Sequence, residues 1–356
     1  MEIFKILSRG FKKAMNKKKE KIAIVGAGAI GSLVGGILSH VGEDITLIGN
    51  KAHVDAIGKN GLHIDGKLGK FKVMVKAEES LDFNPDLVFI SVKNQDVETA
   101  CRKIKPFVHG VPIVLMQNGV RSIEIAGRIL GKNNLIGCIL LLNAKFLKPG
   151  AVSYVNQKPI LIGSTINGKN DDLSFIQALL NHISETTISN NIIGAQWSKL
   201  LVNSLGNSLD GMTGLNLGQY ALHSGLRKIG ILILKEALMT IKKAGIKLEP
   251  LPGMPLFTFT SLIRLPTRLA AWLLKFVLLN KGDPNIITST LQSLQKRKKT
   301  EIDFLNGEFV ALGKTMGIPT PVNEKVLYLI HEIEQTHKFF SADTLTKKFD
   351  TKIWSG

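Results

Sequence analysis

Cysteine is nearly absent from this chain: Cys101 and Cys138 are the only two in 356 residues. They have no Cys-x-x-Cys spacing and no histidine pair beside them, which excludes a disulfide framework and a thiolate metal site. No metal is expected, and a reducing, cytoplasmic compartment is. Acids are scarce as well, 28 against 46 Lys and Arg, for a formal charge of +18. Much of the excess is local: Met1–Lys21 holds eight Lys or Arg against two Glu, and Lys296-Arg297-Lys298-Lys299 is a second run. Such a balance permits contact with nucleic acid or an anionic membrane, but a solvated lysine surface explains it more simply, and no nucleic-acid partner is expected. Ile3, Leu7, Phe11 and Met15 recur at helical spacing, so residues 1–20 read as a basic extension, frayed or forming a surface-seeking amphipathic helix. Long apolar runs are missing too. Leu269–Asn280 is interrupted by Lys275 and is too short to span a bilayer, and residues 1–21 lack the continuous apolar stretch of a secretory signal.

What the chain does have is length and apolar content. At 356 residues and 44% apolar it exceeds the size at which one core stops growing, so two domains are expected. The first, 21–189, opens on a short β-branched run, Lys21–Gly26 (KIAIVG), of the kind buried in a parallel sheet. Gly26-Ala27-Gly28-Ala29-Ile30-Gly31 follows at once, then an apolar helix, Ser32–Val41. Gly26 suits the tight turn, Gly28 lets backbone amides reach a pyrophosphate, and Gly31 permits close helix–strand packing. The phosphate sits at the helix N-terminus, where free N–H groups favour an anion.

The next strand, Asp44–Gly49, ends in Gly49-Asn50-Lys51-Ala52-His53, with no acid where an NAD-binding chain usually carries one for the ribose hydroxyls. Asn50 and Lys51 can hydrogen-bond and neutralise a 2′-phosphate, which favours NADP, although Lys51 facing solvent is the alternative. Further strand-like runs at Asp86–Val92, Val111–Met116 and Leu135–Leu142 alternate with helical segments, a βαβ rhythm that predicts a doubly wound, Rossmann-like sheet. Beyond two of these strands lie Lys93-Asn94-Gln95 and Gln117-Asn118-Gly119. Lys93 is a candidate for phosphate or adenine, and Asn118 for the nicotinamide ribose or the substrate. Plain turn chemistry competes with both readings. Gly150–Val155 and Pro159–Gly163 read as a closing pair of strands.

From about Asn190 the pattern is helical, giving an α/β fold whose second domain, 190–345, is all-helical. A cleft between two such domains is the usual place for a site. Lys199, Asn203 and Asn207 stand at i, i+4 and i+8, so at about 100° per residue they share one helix stripe. An ammonium and two carboxamides replacing leucine there predict a polar lining rather than core. Downstream, Glu301 and Asp303 are two apart, so a helix would point them roughly 160° from one another. Ser289 and Glu301 reach one site only if Ser289 begins the helix or the helix bends. Hydride delivery to a ketone needs a proton donor beside the carbonyl oxygen. Lys199 suits that role if a nearby carboxylate, Glu301, holds its ammonium against the shift that burial imposes. Asn203, Asn207 and Ser289 would then fix the ends of a small polar substrate. The competing structural reading is a buried Lys199–Glu301 bridge.

GAGAIG, VKNQD, QNGV, WSKLLVNSLGNSL, TEIDFLNG and GIPTPVN occur in order and spacing that resemble the ketopantoate reductase (2-dehydropantoate 2-reductase) family over about residues 21–335. The resemblance implies an NADP-dependent oxidoreductase acting on a CH–OH group, reducing a small 2-oxo acid, 2-dehydropantoate, to pantoate with NADPH in pantothenate and coenzyme A biosynthesis. It also implies Lys199 as general acid, Glu301 as its acidic partner, Asn118, Asn203, Asn207 and Ser289 as substrate or nicotinamide contacts, and Lys93 as a cofactor contact. The chain departs from the family at Asn50, where many members have Arg, at Ser293 in place of Asp, and at Ser208 in place of a frequent Pro. A reductase of another 2-oxo acid on the same scaffold is the alternative, and a non-catalytic NADP-binding protein a further one. A homodimer is left open.

Overall fold

The computed structural model describes residues 19–166, 172–253, 256–281 and 283–349. The amphipathic reading of Ile3–Met15 lies outside the described residues. The first half contains strands β1 (Lys21–Val25), β2 (Asp44–Ile48), β3 (Leu62–Gly66), β4 (Phe71–Val73), β5 (Lys76–Glu78), β6 (Leu87–Ile90), β7 (Ile113–Leu115), β8 (Leu135–Leu140), β9 (Asn143–Lys148), β10 (Ala151–Asn156), β11 (Ile160–Ser164) and β12 (Thr186–Ile188). Helices α1 (Ala29–His40), α2 (Lys51–Asn60), α3 (Val97–Ile104), α4 (Arg121–Leu130) and α5 (Asp172–Asn181) connect them. Eight strands form one sheet in the order β12-β11-β8-β7-β6-β1-β2-β5. Its centre is parallel, and β11 turns the edge by pairing antiparallel with β8. The strands read as unbroken apolar runs because both faces are covered: LVFI of β6 is buried at every position.

Gly150–Val155 and Pro159–Gly163 are strands, but they do not pair with each other. β10 leaves the main sheet and joins β9 and β3 in a four-stranded sheet, order β4-β3-β10-β9, while β11 stays in the large one. The turn at Gly150 folds β10 back on β9, and this edge hairpin takes β10 away from the large sheet. Helix α1 is therefore enclosed between two sheets, buried without a break from Gly31 to Leu38. A methyl group at Gly35 would stand 2.5 Å from Leu47 on one side, and one at Gly36 2.6 Å from Ile64 on the other. Buried His53 joins the layers. Its Nδ1 accepts from Gly150 N–H at 2.9 Å, so its Nε2 carries the proton and donates to Ser32 Oγ at 2.9 Å.

From α6 (Ile192–Thr213) onward the chain is helical: α7 (Leu217–Leu222), α8 (Ser224–Lys243), α9 (Leu256–Leu262), α10 (Thr267–Lys281), α11 (Ser289–Gln295), α12 (Asn306–Met316), α13 (Pro321–Thr336) and α14 (Ala342–Phe349). A single apolar core built on Leu205, Leu209, Ile233, Leu274, Phe309 and Ile330 binds these helices together. Helix α13 starts on a buried carboxylate: Glu236 accepts from the backbone N–H groups of Val322 at 2.9 Å and Asn323 at 2.8 Å, an anion at the positive end of a helix. No described helix is long and apolar enough to cross a membrane, and no described His, Cys, Asp and Glu groups could hold a metal ion.

Candidate active site

The carboxyl ends of β1, β6, β7 and β8 lie along one edge of the large sheet, and the loops leaving them meet helix α6. After β1 comes the glycine turn. A Cβ at Gly31 would fall against the Gly26 carbonyl and Ser91 Oγ, whereas one at Gly28 would meet nothing within 4 Å. Gly28 is the N-cap of α1, with no side-chain cap and no acid in the first turn. The helix's leading N–H groups thus face open space without a protein anion, the arrangement that receives a pyrophosphate. The residues present fit a dinucleotide.

Beyond β2, Asn50 caps α2: its Oδ1 accepts from His53 N–H at 3.0 Å. Lys51 is exposed and faces two acids, Asp55 at 3.3 Å and Glu79 at 3.8 Å. Asn50 therefore has only its carboxamide nitrogen to offer a 2′-phosphate, and Lys51 must exchange surface partners to meet one. Such exposed pairs are worth ~0–1 kcal/mol and break readily.

Lys199 reaches across to this edge from α6. Its Nζ donates to Asn118 Oδ1 at 2.7 Å and to the Leu140 carbonyl, at the end of β8, at 2.8 Å. Burial pushes its pKa down from 10.5 to about 8, because an ammonium withdrawn from water is disfavoured against the neutral amine. No Lys199–Glu301 ion pair forms among the described residues, so neither the pair nor the bridge expected between them is present. Asparagines supply the link instead. Asn118 bonds Lys199 through its side chain, while its backbone carbonyl accepts from Asn94 Nδ2 at 2.8 Å. Asn94 in turn donates from N and from Nδ2 to Glu301 Oε1, each at 3.3 Å. The ammonium thus loses its expected counter-ion, and its lowered pKa follows.

Asn94, buried next to exposed Lys93, links the two loops and is not singled out by the sequence motifs. Its one signal was position, since it follows a strand in the same loop as Lys93. Gly119 completes the junction: φ is +85° there, and a Cβ would stand 2.7 Å from the Phe304 carbonyl, so the loop after β7 lies directly on the loop carrying Glu301.

Farther along α6, Asn203 is half-buried and its side chain has no hydrogen-bond partner among the described residues. Asn207 is buried and committed: its Oδ1 accepts from Thr290 Oγ1 at 2.8 Å, Thr290 N at 3.3 Å and Ser289 Oγ at 3.4 Å. Its Nδ2 donates to the Asn203 carbonyl at 3.0 Å. One turn on, fully buried Asp210 accepts from Thr288 N at 2.6 Å and Thr288 Oγ1 at 2.7 Å. Burial raises its pKa to about 7. Asn207 and Asp210 together hold the start of α11, and Ser289 is exposed as the first residue of that helix.

The geometric condition on Ser289 and Glu301 is met, because α11 ends at Gln295 and the chain turns through Arg297, at φ +52°, before Glu301. Glu301 caps a short 3₁₀ turn, Ile302–Phe304, and Asp303 lies within it, so the two do not sit on an α-helix. Asp303 meets His331 Nε2 at 3.1 Å, while Glu334 accepts from Thr300 N and Oγ1, both at 2.7 Å. His331 also meets Glu334 at 2.9 Å. Burial works against charging His331, but Glu334 and Asp303 outweigh it and raise its pKa.

The arrangement brings a buried, hydrogen-bonded lysine from α6 to the sheet edge where the uncapped start of α1 opens. Comparisons with known proteins give the family. Residues 22–167 match the family described as ketopantoate reductase PanE/ApbA, and residues 191–334 match its C-terminal region. The 2-dehydropantoate 2-reductase of Pyrococcus horikoshii is 33% identical over 309 residues, 85% of this chain and 94% of that protein. The PanE/ApbA family ketopantoate reductase of Ralstonia eutropha superposes with a TM-score of 0.76 at 26% identity, covering 89% of this chain and 99% of that one. D-mandelate dehydrogenase, in a ternary structure with NADH and anilino(oxo)acetate, shares the fold at a TM-score of 0.76 and 22% identity, over 89% of this chain and 99% of its own. With glycine turn, α/β sheet and helical half all matched in order along the chain, this protein belongs to the ketopantoate reductase family of oxidoreductases.

Proposed function

We propose that the protein reduces 2-dehydropantoate to pantoate with NADPH. The observation that carries the reading is the Lys199 ammonium, held by Asn118 and the Leu140 carbonyl at the sheet edge where the glycine turn opens. Residues 21–189 form the dinucleotide half in this reading and 190–345 the substrate half. NADPH, when bound, supplies the hydride. The carbonyl carbon receives that hydride while its oxygen takes a proton from Lys199 Nζ, and the amine regains a proton from solvent.

A pKa of about 8 keeps the lysine protonated near neutrality yet close enough to the working pH to give the proton up, the condition for an efficient general acid. Asn203, with an uncommitted carboxamide, and Ser289 hold the far end of the substrate. Glu301, aimed by Asn94, takes its hydroxyl, and Asn207 positions Ser289 rather than touching substrate. The backbone N–H groups at Ala29, Ile30 and Gly31 receive the pyrophosphate, which the open side of Gly28 lets approach, Lys93 contacts the adenylate end, and Asn118 lies beside the nicotinamide ribose. Lys51 and Asn50 receive the 2′-phosphate. Two free, buried cysteines support a cytoplasmic site for the reaction.

The test is NADPH oxidation by the purified chain with 2-dehydropantoate and a panel of other 2-oxo acids. Turnover of 2-dehydropantoate no faster than the rest would overturn the assignment. For the cofactor, Lys51→Ala should raise KM for NADPH roughly tenfold, ~1.4 kcal/mol, and leave KM for NADH unchanged. Equal changes for both would remove Lys51 from 2′-phosphate binding.

A further inference from the structure

Helix α10 (TRLAAWLLKFVLLNK) has two apolar sides, and only one is covered. Ala270, Ala271, Leu274 and Leu278 are buried in the helical core. Arg227 pins that side, donating from Nε to the Ala271 carbonyl at 2.8 Å and from Nη1 to the Ala221 carbonyl at 2.7 Å. Opposite lie Leu269, Trp272, Phe276 and Leu279, exposed by 45%, 55%, 46% and 37%. Their spacing confines them to an arc of about 80°, with the Trp272 and Phe276 rings edge to face at 5.1 Å. On the preceding helix Phe257 is 84% exposed. Scattered surface apolar residues need no explanation, but an aligned row with two aromatic rings does.

The charges around this row define what fits it. Between Glu249 and Lys281 the only charged residues are Arg264, Arg268 and Lys275, all basic. Arg268 and Lys275 flank the same edge of the row, roughly 20–40° from Leu279 around the helix. Lys235 adds a cation at the helix start, its Nζ bonding Thr267 Oγ1 at 3.1 Å. We infer that the outer face of α10 is an interfacial docking surface for an anionic lipid bilayer. The aromatic row enters the boundary between headgroups and acyl chains, and the flanking cations extend to lipid phosphates. The chain's charge of +18 steers it toward such a surface. A second copy of the chain fits less well. Two-fold pairing along α10 sets Arg268 of one copy against Arg268 or Lys275 of the other, with no carboxylate on the helix to offset the repulsion.

The experiment is flotation of the full-length protein with vesicles of phosphatidylcholine alone, or with about a third phosphatidylglycerol, an anionic lipid, at low and high salt. Binding is expected only to the anionic vesicles, weakened by salt, with a blue shift of tryptophan emission. Trp272→Ser/Phe276→Ser should lower partitioning by about tenfold or more, and Arg268→Glu/Lys275→Glu likewise, with NADPH oxidation in solution and the thermal midpoint unchanged. The proposal fails if the wild type ignores anionic vesicles or binds neutral ones equally well. It fails also if both double variants bind as the wild type does, which would assign docking to the basic residues 1–21. A wild-type dimer that Trp272→Ser/Phe276→Ser converts to monomer would overturn it in favour of a second copy.

Discussion

Replacing Lys199 by Met should separate activity from stability. The folded protein lowers the lysine's pKa from 10.5 to about 8, which corresponds to ~3 kcal/mol of unfavourable burial of the charged form. Because the folded pKa lies below the unfolded one, this penalty is fully present below about pH 8 and fades as pH rises toward 10.5. Methionine has similar length and no charge to desolvate, so it removes the penalty, while leaving the Leu140 carbonyl without its donor at a cost of roughly 1–3 kcal/mol. The net expectation is a thermal midpoint equal to the wild type's or a few degrees higher at neutral pH, with the advantage gone near pH 10. Turnover should instead fall by roughly 10²–10⁴, the usual contribution of a positioned acid.

The wild-type enzyme carries the same signature in its pH profile. kcat/KM for reduction should halve near pH 8 and then drop about tenfold for each further pH unit as the ammonium titrates. NADPH absorbance gives the rates and calorimetry gives the midpoints. A profile that stays flat to about pH 9.5, or a Lys199→Met enzyme keeping more than about a tenth of wild-type turnover, would remove the lysine from proton transfer. A midpoint several degrees lower at neutral pH would show that the buried charge stabilises the fold, contrary to the burial argument.

Asn94→Ala keeps the backbone N–H to Glu301 but removes the side-chain donor to it and the bond to the Asn118 carbonyl, so kcat/KM should fall roughly 10–100-fold while the thermal midpoint shifts little; unchanged kinetics would sever the asparagine link between Lys199 and Glu301. Gly119→Ala places a methyl group against the Phe304 carbonyl at positive φ, and should lower stability by ~1–3 kcal/mol together with activity; a fully active, equally stable variant would show that the two loops move independently. Asp210 has its pKa raised from 3.8 to about 7, so the folded state favours the neutral acid. Its contribution is therefore best at low pH and is lost as pH rises through that window, a cost of ~4 kcal/mol above it. Asp210→Asn should raise the thermal midpoint relative to wild type above pH 7 and lose that gain near pH 4, and a difference independent of pH would refute the reading.

The glycine turn, the parallel strands and the Lys199 stripe were legible because each depends on local order: apolar runs for doubly covered strands, a 3.6-residue period for the helix face. The four-stranded sheet was not. NAKFLK of β9 is largely exposed and its polar–apolar alternation breaks after four residues at Leu147, so little local distinguishes it from loop, and its capture of β10 is a tertiary event. The Lys199–Glu301 pairing failed for a related reason. Charge complementarity suggested a contact between residues 102 apart in sequence, but the intervening space is occupied by Asn94 and Asn118, whose short polar side chains look like turn formers until the loops are brought together. Asp210 gave a usable signal that went unread, since it lies one turn beyond Asn207 on the same helix.

Helix α6 also works as a gauge block. Lys199 and Asn203 are separated by about 6 Å along its axis, and Asn207 lies about 6 Å beyond, so one rod fixes both the proton donor and the segment Thr288–Thr290 that begins α11. Inserting a single residue between Lys199 and Asn203 would rotate Asn203, Asn207 and Asp210 together by about 100°. It would turn Asn203 off the Lys199 stripe and unhook the other two from α11 in the same stroke. This segment can exchange side chains, but it has almost no freedom to change length.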